Sequence, residues 1–129
     1  MTRAQVDNFE KTQSQLEALH SEVSALSKKA QNDALSKFKL KFVNQILIEA
    51  NRVLDTRYKP FPSFDVFDED DIPTNSDVAM VISQYLGCME KLRVDNIHED
   101  ISYIGGKVRK VYWYWKDTTK ETHPPTKIK

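Results

Sequence analysis

Phe9-Glu-Lys-Thr12-Gln-Ser-Gln-Leu16-Glu-Ala-Leu19-His-Ser-Glu-Val23-Ser-Ala-Leu26-Ser-Lys-Lys-Ala30 is the stretch that decides the fold class. Phe9, Thr12, Leu16, Leu19, Val23, Leu26 and Ala30 recur at alternating spacings of three and four. A half-buried strand would repeat every second residue, and a broad apolar face would mark a helix lying on a large core. This narrow stripe, about three heptads long, is the seam of a helix that pairs with one other helix. Residues between the stripe positions are mostly polar, and no proline or glycine interrupts before Pro60. The spacing predicts a heptad, coiled-coil helix over residues 1–32 with Phe9, Leu16, Leu19, Val23 and Leu26 as its interface. The partner is either the next helix of the same chain or a second chain.

Outward from that seam, a central helix is predicted over 33–56. Leu35, Phe38, Phe42, Ile46, Ala50 and Val53 share one face, and Leu40, Val43, Leu47 and Leu54 widen it. Lys37-Phe38-Lys39-Leu40-Lys41-Phe42 alternates like a strand, but the helical period continues well past Phe42, which favours helix. Pro60 and Pro62 end it. Residues 60–73 read as an acidic linker held across the helices by Phe61, Phe64, Phe67 and Ile72. Its carboxylates Asp65, Asp68, Glu69, Asp70 and Asp71 would form an acidic surface. Thr74 and Asp77 have the form of a capping box and open a third helix over 74–97, buried through Val78, Val81, Ile82, Tyr85, Met89 and Leu92. Gly105-Gly106 between apolar runs predicts a hairpin over 100–116. Val111, Trp113 and Trp115 would lie on one side and Lys110, Tyr112 and Tyr114 on the other, so Tyr112, Trp113, Tyr114 and Trp115 make an aromatic patch. The tail 117–129, with Pro124-Pro125 and scattered lysines, is predicted disordered. The fold class is therefore mainly α: an antiparallel helical bundle with a long N-terminal heptad helix and a small C-terminal β-hairpin, in one domain over 1–116.

A chain of 129 residues, 40% apolar and 29% charged, can bury a core of its own but not two. Its single cysteine, Cys88, excludes an internal disulfide framework, and no run approaches the roughly 18–20 apolar residues of a membrane span. No apolar leader is expected in the first residues, so the expected location is the cytoplasm, with no membrane partner. Formal charge is zero overall but uneven. Residues 1–61 carry ten basic and seven acidic side chains, 62–106 two and ten, and 107–129 seven and two. A neutral total argues against a protein whose task is gripping bulk nucleic acid.

One pair of residues has a catalytic precedent. Leu92-Arg-Val-Asp-Asn-Ile-His-Glu99 separates Arg93 from His98 by four residues near a helix end. In a small helical chain this resembles the catalytic motif of the HEPN ribonuclease families. The resemblance implies RNA cleavage at a dimer interface, with His98 as general acid/base and Arg93 as phosphate stabiliser. It spans eight residues, with Val94 where the family usually has a polar residue and Asp100 where it often has tyrosine. The plainer expectation is a surface arginine beside a loop histidine.

The acidic run lacks the alternating ligands and central glycine of a calcium loop, and no cysteine–histidine cluster or phosphate-binding glycine loop is present. No metal and no cofactor are expected. Lysines near residues 28–41, or the basic aromatic strand, offer a nucleic-acid surface as an alternative. The leading expectation is a non-catalytic interaction or accessory protein that pairs through residues 9–30 with a protein partner, either in a homo-oligomer or in a heteromeric complex.

Overall fold

The computed structural model describes residues 1–126. Three helices, α1 (Arg3–Ala30), α2 (Lys37–Tyr58) and α3 (Asn75–Asp95), precede β1 (Ile97–Ile104), β2 (Lys107–Trp115) and β3 (Glu121–Thr122). The strands form one antiparallel sheet in the order β1-β2-β3. The chain is mainly α with a C-terminal hairpin, and among the described residues no helix is long and apolar enough to cross a membrane.

Each helix starts where a hydroxyl satisfies its first free amides. Thr2 accepts from the Gln5 amide while the Gln5 side chain accepts from the Thr2 amide, a closed capping box. Ser36 accepts from the Lys39 amide and Thr74 from the Asp77 amide, each at 3.2 Å. Ser36 is why α2 begins four residues later than the period alone predicts. Leu35 and Asn75 are instead tied across the gap, through Leu35 N to Pro73 O and Asn75 N to Asp33 O. Lys37–Phe42 is helical, as its longer period requires. Near the other end of α2, Asp55 adopts φ 53° and ψ −174°, a conformation glycine takes far more readily, and its carboxylate accepts from the next amide at 2.8 Å.

α1 packs on both α2 and α3, which also touch each other. Phe9, Leu16 and Val23 from α1 are buried with Leu40, Val43, Leu47, Ala50 and Leu54 from α2 and with Val78, Ile82, Tyr85 and Met89 from α3. The linker crosses as an irregular strap with two turns, closed by Phe64 N to Phe61 O and Asp71 N to Asp68 O. Asn44 donates to the Phe67 carbonyl at 2.9 Å and accepts from its amide at 3.0 Å. Asn51 donates to the Asp65 carbonyl and accepts from the buried Tyr85 hydroxyl at 2.6 Å. Burial pushes the Tyr85 hydroxyl up to about 12, so it stays a protonated donor. Phe61, Phe64 and Phe67 stack edge to face along the strap.

Helix α3 stops two residues early. Asn96 leaves helical geometry, its side chain accepts the role of cap by donating to the Leu92 carbonyl, and Ile97 enters β1 directly. Ile97 pairs with Trp115, and both are buried, Trp115 against the Phe9 ring at 5.0 Å. This contact fastens the base of the hairpin to α1. At the tip, Gly105 and Gly106 both have positive φ, 61° and 77°, as the tight turn between twisted strands demands.

The tail departs from the expected disorder over its described part. After a turn closed by Trp115 N to Lys120 O, residues 121–122 pair with Trp113 and Tyr114, and residues 122–126 run onto α3. Pro124-Pro125 misled the prediction: proline removes amide donors but leaves carbonyls free to accept. Residues 127–129 of that predicted tail lie outside the described residues.

Candidate functional site

The apolar stripe of α1 is covered from within the chain. Phe9, Leu16 and Val23 are fully buried in the chain's own core, and Leu19 and Leu26 pack half-buried against it. Of the two partners open to this stripe, the next helix or a second chain, it is the chain's own α2 and α3 that flank it here, with Phe9, Leu16 and Val23 in the core and Leu19 and Leu26 against its margin. Even Thr12 of the stripe is buried.

Arg93 and His98 part company. Arg93 is 1% exposed, not a surface residue. Its guanidinium forms a fork to the Glu90 carboxylate, one arm at 2.8 Å, and turns its remaining donors to the tail. These reach Thr122 Oγ1 at 3.1 Å, the His123 carbonyl at 2.7 Å and the Pro124 carbonyl at 2.9 Å. The Thr126 amide closes the clasp onto Glu90 at 3.1 Å. Burial raises the Glu90 carboxyl, but the hydrogen bonds from Arg93 and Thr126, with the guanidinium charge, outweigh it and hold the group below its ordinary value. His98 lies exposed on β1, in a strand rather than a loop, with its ring 6.1 Å from that of Tyr114 across the ladder. The two side chains implied by the ribonuclease resemblance thus serve different neighbourhoods, and the guanidinium nitrogens of Arg93 are already engaged.

Asp65, Asp68, Glu69, Asp70 and Asp71 are all exposed. Asp65 pairs with Lys59, and Asp68 caps the Asp70 amide. Among the described residues no three His, Cys, Asp or Glu side chains converge as metal ligands would. Cys88 is half-buried, and burial pushes its thiol up, away from the reactive thiolate.

The aromatic patch divides by the pleat. Trp115 is in the core and Trp113 half-buried on the same side, which continues through Ile101 and Val111 to Tyr103 and Val108. On the other side His98, Tyr114 and Tyr112 form a ladder, and Lys110 lies over the Tyr112 ring at 5.9 Å. The register shifts by one residue between Ser102 and Tyr103, an extra residue carried by β2. β3 covers only Trp113 and Tyr114, so the distal hairpin is a two-stranded ribbon.

Two features escaped the sequence reading. The Glu90–Arg93 clasp has only an i,i+3 signature, common on any solvated helix. A groove of about 470 Å³ between α1 and α2, lined by Asn8, Lys11, Gln15, Phe42, Gln45 and Ile48 among others, has no sequence signature at all. No protein-family model, no curated protein and no solved structure matches this chain.

Proposed function

We propose that this chain is a non-catalytic, cytoplasmic interaction protein that self-associates through the free edge of β1. We read its helices as an antiparallel bundle around the heptad stripe of α1, which leaves that stripe no capacity for a second chain. The observation that carries the proposal is the distal hairpin. Tyr103, Ile104, Val108 and Val111 are 60%, 62%, 59% and 47% exposed. They sit on a ribbon of two strands, an arrangement only marginally stable in water by itself. An exposed apolar ribbon edge of this kind is a template for another strand.

The two edges differ. That of β2 is broken by the bulge and partly covered by β3, devices that blunt an edge, whereas β1 offers six residues in regular register from Ile97 to Ser102. Antiparallel pairing of two β1 strands about a two-fold axis at Ile101 sets Asp100 against the partner's Ser102 and Glu99 against the partner's Tyr103. No carboxylates oppose each other, the apolar side runs across four strands, and an isologous contact closes at two copies.

Light scattering over a concentration series tests this. The molar mass should rise from 15.0 kDa towards twice that value, and Ile101→Lys, which apposes two ammonium groups at the axis, should hold it at the monomer while circular dichroism is unchanged. A wild-type chain that stays monomeric into the millimolar range refutes it. A second reading, single-stranded nucleic-acid binding, draws on the ladder of Tyr112 and Tyr114 beside Lys110. It predicts oligonucleotide binding that falls steeply with salt and is lost in Tyr112→Ala.

A further inference from the structure

We infer that the N-terminal half of α2 is a docking face for an anionic lipid surface, independent of the hairpin. Phe38 is 71% exposed and Phe42 47%, and the two rings pack edge to face on each other at 5.1 Å, out in solvent. They stand one turn apart, so they form a short apolar ridge along the helix. One residue earlier in each turn come Lys37 and Lys41, both exposed, making a parallel basic ridge.

The arrangement works against the fold's own electrostatics. Lys37 and Lys41 are like charges at i and i+4, which repel on a helix surface. Lys37 and Lys39 occupy the first turn, where the helix dipole favours anions, and that turn has no acidic residue. Among the described residues, Lys39 is the one of the three that is neutralised, by Glu22 of α1 at 2.9 Å. A sequence that breaks local rules in this way, while exposing two phenyl rings, is built for something outside the chain. The same feature explains the strand-like alternation of Lys37–Phe42: its odd positions are lysines and its even ones are apolar, two of them exposed phenylalanines.

The charge is continued by Lys28 and Lys29 in the last turn of α1, the end that the Lys39–Glu22 pair places alongside the start of α2. Counter-charges near this end are Glu22, Asp33 and Asp77 against Lys28, Lys29, Lys37, Lys39 and Lys41, which leaves an excess of positive charge. Lysines flanking apolar tips on the surface of a helix match a bilayer with anionic headgroups: the rings enter the headgroup–acyl boundary and the ammonium groups meet phosphate or carboxylate. A nucleic acid is less well suited, because stacking needs open ring faces in a channel. Here the rings engage each other edge to face, with Phe38 out on the helix surface and Phe42 at the rim of the α1–α2 groove.

The test is vesicle co-sedimentation of the full chain with phosphatidylcholine vesicles, with and without about a third phosphatidylserine. Binding is expected only with phosphatidylserine and weakened by salt. Phe38→Ser with Phe42→Ser should abolish it, and Lys37→Gln with Lys41→Gln should lower it roughly fivefold per lysine, both with unchanged circular dichroism because all four side chains are exposed. Absence of binding, equal binding to neutral vesicles, or binding that survives the double serine variant would each overturn the inference. So would loss of oligonucleotide binding in that variant without any vesicle binding. Ile101→Lys should bind vesicles like the wild type, which separates this surface from the hairpin.

Discussion

Replacing Arg93 by methionine keeps the side chain's bulk and removes its charge and donors. In the wild-type chain those donors satisfy Glu90, Thr122 and the carbonyls of His123 and Pro124. The variant leaves the Glu90 carboxylate buried with only the Thr126 amide as partner and strands two carbonyls. Breaking one side of a buried ion pair costs about 3–5 kcal/mol, a large share of the roughly 5–15 kcal/mol that holds a domain together. Deleting residues 121–129 instead removes the tail acceptors but leaves the ion pair, now open to water. Four charge-assisted hydrogen bonds are lost, three from Arg93 and one from the Thr126 amide to Glu90, and resolvation returns part of their energy, so a loss of about 2–4 kcal/mol is expected. The two changes touch the same contacts, so their combination should cost at least about 1 kcal/mol less than their sum. Urea unfolding followed by tryptophan fluorescence reads all four corners of this cycle. The pH dependence has a definite sign. Because Glu90 is depressed in the fold, its contribution is present above its ordinary pKa of 4.5 and is lost as the pH falls through the lower folded value. Glu90→Gln should therefore flatten the acid side of the stability profile. A loss below about 1 kcal/mol in Arg93→Met, or strict additivity with the truncation, would refute the clasp.

Leu16→Ala should destabilise the isolated monomer by about 2–5 kcal/mol, since Leu16 is fully buried within one chain; a variant that unfolds like the wild type but loses association would return the seam to an interface. Asp55→Gly should raise stability by about 1 kcal/mol, because glycine relieves the positive-φ strain at the end of α2, as a shift to higher urea midpoint with unchanged slope would show.

Local chemistry made much of the architecture legible. A heptad stripe, a threonine before an acidic first turn, paired prolines and a Gly-Gly between apolar runs each act over a few residues, so α1, α3, the end of α2 and the hairpin turn could be placed from the chain alone. The period over Lys37–Phe42 was long enough to outweigh its alternation. The candidate sites were less legible. The residues of the acidic strap are where their composition puts them, but Asn44 and Asn51, which pin it, look like any helix-surface amide until Phe67 and Asp65 arrive 23 and 14 residues later.

By itself the sequence determined that three helices and a hairpin form, because propensity, capping and period depend on near neighbours. Only the tertiary structure decided what each apolar stripe and each charge meets. It gave the seam of α1 to α2 and α3, buried Arg93 by supplying tail acceptors about thirty residues downstream, and set His98 beside Tyr114 on the β1–β2 ladder. A stripe or a charged side chain encodes a need for a partner, and which partner meets it is set by how the whole chain closes.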